Sequence, residues 1–149
     1  NEMPNTPKIL LLWVGEGGIE PKSKVTFAES GEPTKAAYYA KQEPKDAAEF
    51  EKWLDEAKRL GAIGTGPSAE LTDHGDQSYT NLVKPEMNKL THDKGLLVHV
   101  YTVDEPVDFD KVMKAGVDGI FTNRAAELLK FYKRWPSSSV QDLLNDYKY

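Results

Sequence analysis

Any phosphate or proton chemistry in this chain falls to a small set of side chains. Its histidines are His74, His92 and His99, and it has no cysteine, which removes disulfides, thiolate metal sites and cysteine nucleophiles while leaving the redox compartment open. His99 stands two residues before Tyr101 in the run 96–103 (LLVHVYTV). In a strand the side chains alternate, so Leu97, His99, Tyr101 and Val103 share one face and Val98, Val100 and Thr102 the other. Tyr101 then reads either as a ligand-facing wall at the strand end or as a core aromatic. The deeper His99 reads either as a proton-handling group or as a hydrogen-bonded core residue. Thr122, Asn123 and Arg124 end another apolar run just before a helical pattern. Backbone N–H groups and a cation at such a junction can hold phosphate, and the alternative for Arg124 is a salt bridge to an acidic neighbour. Trp13 and Glu16 close the first apolar run and either reach the same end or are a core ring and a solvated acid. The GEGG at 15–18 lacks the context of a nucleotide-binding loop and reads as a turn. Gly64, Thr65, Gly66 and Ser68 form a tight strand-end turn that either approaches a ligand or is simple turn geometry.

The elements that must position these groups follow from periodicity. Residues 8–14 (KILLLWV) are a continuous apolar run, as expected of a strand buried on both faces. The spacing predicts a helix over 46–60, with Ala47, Phe50, Trp53, Leu54, Ala57 and Leu60 on one face, Asp46 and Glu49 offset as a capping box, and Gly61 at its end. Short strands are expected at 62–67, 96–103 and 117–122. Between them come helices at 85–94, led by Pro85 with or without a turn at 79–83 before it, and after Asp104, read as a cap, with Pro106 in its first turn. Further helices are expected at 125–135 and 137–147. Strands separated by helical patterns argue for βα units on a parallel sheet with right-handed crossovers. Residues 15–45 are too long for an ordinary connection and read as a lid or a flexible excursion.

With 149 residues the chain holds one domain or part of one, short for a complete eight-stranded barrel of about 250 residues. A net charge of −5 with Lys and Arg scattered among acids excludes a basic stripe for nucleic acid, and no apolar run is long enough to span a membrane.

Residues 95–124 (GLLVHVYTVDEPVDFDKVMKAGVDGIFTNR) resemble the last two βα units of the glycerophosphodiester phosphodiesterase family. There an aromatic-Thr pair ends one strand, here Tyr101-Thr102, and a G-V-D-G-I-hydrophobic-T-[DN]-R segment ends the next, here 116–124. AIGTGPSAEL, the Pro-initiated helix up to His92 and Gly95, and PKILLLWV fit the preceding units more loosely. The resemblance implies an α/β fold, the C-terminal half of a TIM-type (β/α) barrel with about four of its eight βα units. Residues 1–149 are then one partial domain, with 15–45 as a long βα loop or insertion. It also implies the activity of the whole barrel, a hydrolase of lipid metabolism that splits glycerophosphodiesters into glycerol 3-phosphate and an alcohol. This chain would supply the substrate-pocket wall. Tyr101 matches the position, usually Trp, that packs on the glycerol moiety, and Trp13, Arg124 and His99 are the other substrate-binding candidates. The alternative is a degenerate, non-catalytic barrel half that binds a phosphate ligand or is purely structural.

The family's H-R-G start, E-x-D pair, further Glu and H-D strand end hold a divalent cation, magnesium or calcium, and supply the catalytic histidines. H-R-G and E-x-D do not occur in the sequence, and its His-Asp pair at 92–93 falls in the expected helix 85–94 instead of at a strand end, so neither catalytic nor metal-binding residues are expected here. A phosphodiester needs a cation against developing charge and groups that move protons. The expected partner is therefore a second chain carrying the N-terminal barrel half, or self-association, since half a barrel leaves two unpaired edges and an uncovered apolar face. The start at Asn1, without Met or a basic and apolar leader, suggests a processed or excised polypeptide and leaves the compartment open.

Overall fold

A computed structural model describes residues 6–12, 26–72 and 81–134. Four parallel strands, β1 (Ile9–Leu12), β2 (Gly64–Pro67), β3 (Leu97–Val100) and β4 (Gly119–Ile120), lie side by side in chain order. The register places Ile9 beside Gly64, Gly64 beside Leu97, and His99 beside Gly119. β2, β3 and β4 are each shorter than their apolar runs, because the ladder gives way at its ends to single bridges and loop contacts such as the parallel Ser68–Tyr101 bridge.

The best-formed helix is α3 (Ala47–Arg59), and its sequence explains it. Phe50, Trp53, Leu54 and Ala57 recur on one stripe and are all buried. Asp46 Oδ1 accepts the Glu49 N–H at 2.8 Å, while Glu49 Oε2 accepts from the Lys45 N–H at 2.7 Å, so the reciprocal capping bond falls one residue earlier than expected. Gly61, at φ +74°, supplies the left-handed residue that ends it. Each large side chain on that stripe contributes about 1.5–3 kcal/mol by leaving water. The stripe meets Met87 of α4 (Pro85–Asp93) and Leu96 in one core cluster. A second cluster joins Val100, Val103, Phe109 and Val112, the last two from α5 (Pro106–Lys114), with Leu128 of α6 (Ala125–Phe131) against its edge.

Helices thus cover the sheet face that carries Val98 and Val100, both fully buried. On the opposite face Leu97 is 42% exposed and Phe121 45%. The two clusters and the uncovered face follow from one parallel sheet with its crossovers on one side.

Several expectations are corrected. The second part of 15–45 holds two short helices, α1 (Phe27–Ser30) and α2 (Lys35–Ala40), each opened by a threonine: Thr26 and Glu29 form a capping box, and Thr34 Oγ1 accepts the Ala37 N–H. Residues 13–25, with Trp13, Glu16 and the GEGG turn, lie outside the described residues. No helical turn forms at 81–83, where the Leu82 N–H instead donates to Ser68 O. Asp104 does not cap α5; the N-cap is Glu105, without a side-chain bond. Val103 leaves the face of Tyr101 and enters the core beside Val100, because strand alternation stops with the ladder. The last described helix ends at Phe131 rather than 135, followed by Tyr132 and by Lys133 at φ +54°. His74 and the helix expected at 137–147 are outside the described residues.

Candidate functional site

The carboxyl ends of β2, β3 and β4 bring together the groups singled out in the sequence. His99 and Gly119 are register partners on the uncovered face, and a Cβ on Gly119 would sit 2.4 Å from His99 Cδ2. The imidazole therefore lies over the glycine, with the Phe121 ring 6.2 Å away, centroid to centroid. His99 is half-buried, and its Nδ1 is enclosed without a hydrogen-bond partner among the described residues. Such an atom is normally satisfied. Tyr101, also half-buried, follows at the strand end, bridged to Ser68, with its N–H directed at Pro67 O.

Beyond Tyr101 the chain is tied sideways. The Asp104 carboxylate accepts from Thr122 Oγ1 at 2.9 Å, the Asn123 N–H at 2.7 Å and Asn123 Nδ2 at 3.0 Å. Burial works against its ionisation, but the Asn123 and Thr122 bonds and the nearby Arg124 hold its carboxyl below the usual carboxylate range. Thr122 Oγ1 in turn accepts the Arg124 N–H at 2.9 Å. The backbone N–H groups of Asn123 and Arg124, expected to be open to phosphate, are thus already engaged. The Arg124 guanidinium pairs with Glu105 at 3.2 Å and stays 53% exposed, so it can turn to an anion only by sharing or leaving that carboxylate.

His92 is elsewhere. At the end of α4 its Nε2 meets Asp118 Oδ2 at 2.7 Å, and that same oxygen accepts the Val98 N–H at 2.8 Å. Burial opposes ionisation here too, yet the Val98 N–H and the His92 ring keep the Asp118 carboxyl low. This pair locks α4 to the amino-terminal part of β3 and β4. Cavities of about 530 Å³, between α3 and α4, and about 290 Å³, between α4 and α5, lie among the helices, and neither is lined by His99, Tyr101 or Arg124. From the sequence Glu105 goes unnoticed, Asp104 reads as a helix cap, and the bonds from Asn123 to Asp104 are not foreseen. Their signal was available: an acid pair just past one strand end and an amide just past the next.

The sequence model of the glycerophosphoryl diester phosphodiesterase family matches residues 32–127. The chain belongs to that family. The glycerophosphoryl diester phosphodiesterase family is a TIM-type barrel, and four parallel strands in an α/β arrangement are consistent with part of one. Among solved structures, a candidate glycerophosphoryl diester phosphodiesterase from Silicibacter pomeroyi DSS-3 is similar at 24% identity, over 52% of this chain and 34% of that one, with a TM-score of 0.32. The match spans about a third of that protein's length. No curated protein matches.

Glycerophosphoryl diester phosphodiesterases generally use a divalent cation. The residues described here do not fit one: no group of three His, Cys, Asp or Glu side chains among them is placed to hold a metal ion. The carboxylates at the strand ends, Asp104 and Glu105, face hydrogen-bond donors and a guanidinium instead. No described helix is long and apolar enough to cross a membrane.

Proposed function

We propose that this chain is the pocket-wall part of a glycerophosphodiester phosphodiesterase barrel, and that the whole barrel hydrolyses glycerophosphodiesters to glycerol 3-phosphate and an alcohol. The observation that carries this is the family match over the stretch that sets Tyr101 and Arg124 at the carboxyl ends of adjacent parallel strands, the end at which barrel enzymes build their sites. In this reading Tyr101 packs on the glycerol moiety and Arg124 meets the phosphate by exchanging its Glu105 contact. His99 lines the barrel interior, its Nδ1, without a partner among the described residues, available to a group from the other half. Trp13 is a fourth wall residue.

The groups that bind the cation and move protons come from outside residues 1–149, from the N-terminal barrel half; self-association would cover the open face and edges without supplying them. Supporting this are the exposed Leu97 and Phe121 on the uncovered sheet face and the unpaired outer sides of β1 and β4 within the described sheet. A degenerate barrel half that binds a phosphate ligand without turnover, or is purely structural, is the second reading; the engagement of the Asn123 and Arg124 N–H groups and of the Arg124 guanidinium within the chain speaks for it.

Titration with glycerol 3-phosphate, followed by backbone amide shifts, tests the site. The expected changes centre on Tyr101, Asn123 and Arg124. Changes confined to the grooves between α3, α4 and α5, or none at all, would overturn it.

A further inference from the structure

The connection after β3 and the first turn of α5 carry two carboxylates that reach in opposite directions. Asp108, 2% exposed, accepts the Thr72 N–H at 2.9 Å and Thr72 Oγ1 at 2.7 Å, on the loop after β2. Asp104 accepts its three bonds from Thr122 and Asn123, after β4. Glu105 between them pairs with Arg124. The segment that begins with Tyr101 therefore holds both neighbouring loops.

Asp104 breaks a local rule to do so. Standing just ahead of α5, it is the residue type that caps helices, and α5 begins with no side-chain cap. A departure from local preference, with the same carboxylate saturated by a different loop, marks a position set by the site rather than by the helix. Through Thr122 Oγ1, which both donates to Asp104 and accepts the Arg124 N–H, the constraint passes to the Arg124 backbone. We propose that Asp104 is a positioning residue: through Thr122 and Asn123 it fixes Arg124 relative to the Tyr101 strand end so that the pair can receive a phosphate monoester or diester. The proposal rests on the reading of Tyr101 and Arg124 as pocket wall.

The test compares the full chain with Asp104→Ala, Asp104→Asn and Asp104→Glu by melting temperature, glycerol 3-phosphate affinity and the NMR signals of the Arg124 Nε–H and the Tyr101 ring. Asn keeps an oxygen for the Asn123 N–H and the Thr122 hydroxyl, and its amide is satisfied if the Asn123 amide flips. Glu keeps the charge and shifts it by one methylene. The expected result is a loss of affinity of about tenfold or more in Asp104→Ala, the order of a lost charge-assisted bond, with the Arg124 signal displaced. Asp104→Asn should restore both, and Asp104→Glu should fold but bind weakly. Should Asp104→Ala not fold, the Asn and Glu variants decide. Wild-type affinity and an unmoved Arg124 signal in the Ala or Glu variant would overturn the proposal. If the wild type does not bind glycerol 3-phosphate, the pocket reading falls, and an Arg124 signal unmoved by substitution at position 104 would sink the positioning role separately.

Discussion

Asp104 and Asn123 meet through both amide groups of the asparagine: the carboxylate takes the backbone N–H at 2.7 Å and the side-chain Nδ2 at 3.0 Å. Two loops that follow different strands are thereby fixed to one another at the end of the sheet where Tyr101 and Arg124 stand. Charge-assisted bonds of this kind are about twice as strong as neutral ones, and their formation requires the ionised acid.

Acid should therefore loosen the fold through Asp104 and Asp118. Both carboxyls lie below the ordinary value of 3.8: burial would raise each, and their hydrogen bonds outweigh it. The folded state then binds fewer protons than the unfolded one, so their contribution is complete above pH 3.8 and is lost as pH falls through the lower folded values. Melting temperature measured from neutral pH downward should drop in that acid window, and the drop should flatten in Asp104→Asn and Asp118→Asn. Variant curves parallel to wild type would contradict the assignment.

Gly119 should be intolerant of a side chain for a reason tied to His99. A Cβ there would lie 2.4 Å from His99 Cδ2, so Gly119→Ala must displace the ring. The expected penalty in urea unfolding is about 1–3 kcal/mol, as for other overpacked positions. In a His99→Ala background the same change should be nearly neutral. An equal penalty in both backgrounds would show that the strand, and not the imidazole, sets the requirement.

Gln42 offers the opposite case, a substitution that should stabilise. It is 3% exposed, and both amide atoms lack a hydrogen-bond partner among the described residues. Removing unsatisfied buried groups recovers about 1–3 kcal/mol. Gln42→Met, of similar volume, should raise the unfolding midpoint in urea, and a lowered midpoint would reveal a partner for the amide.

Much of this arrangement was legible in the sequence, and the illegible part has a physical cause. The α3 stripe, its Asp46 cap and its Gly61 stop are local signals, and local structure obeyed them. The element order and the parallel pairing followed from apolar runs alternating with helical patterns. Tyr101 and Arg124 could be placed at neighbouring strand ends because their segments are short and distinctive. Asp104 was misread because local propensity prefers it as a helix cap, while its donors are 18 and 19 residues away, and no periodicity encodes such a contact. The short α1 and α2 were hidden for the converse reason: helices of four and six residues leave too little pattern to detect.

The central claim, that this chain is a pocket wall completed by a metal-bearing half, is most directly tested by glycerophosphocholine hydrolysis. The chain would be assayed in the presence of magnesium or calcium, alone and with a polypeptide that carries the H-R-G and E-x-D motifs. The account predicts turnover only in the combination, abolished by a chelator. Chelator-sensitive turnover by the chain alone, or none in a combination shown to form a complex, would contradict it.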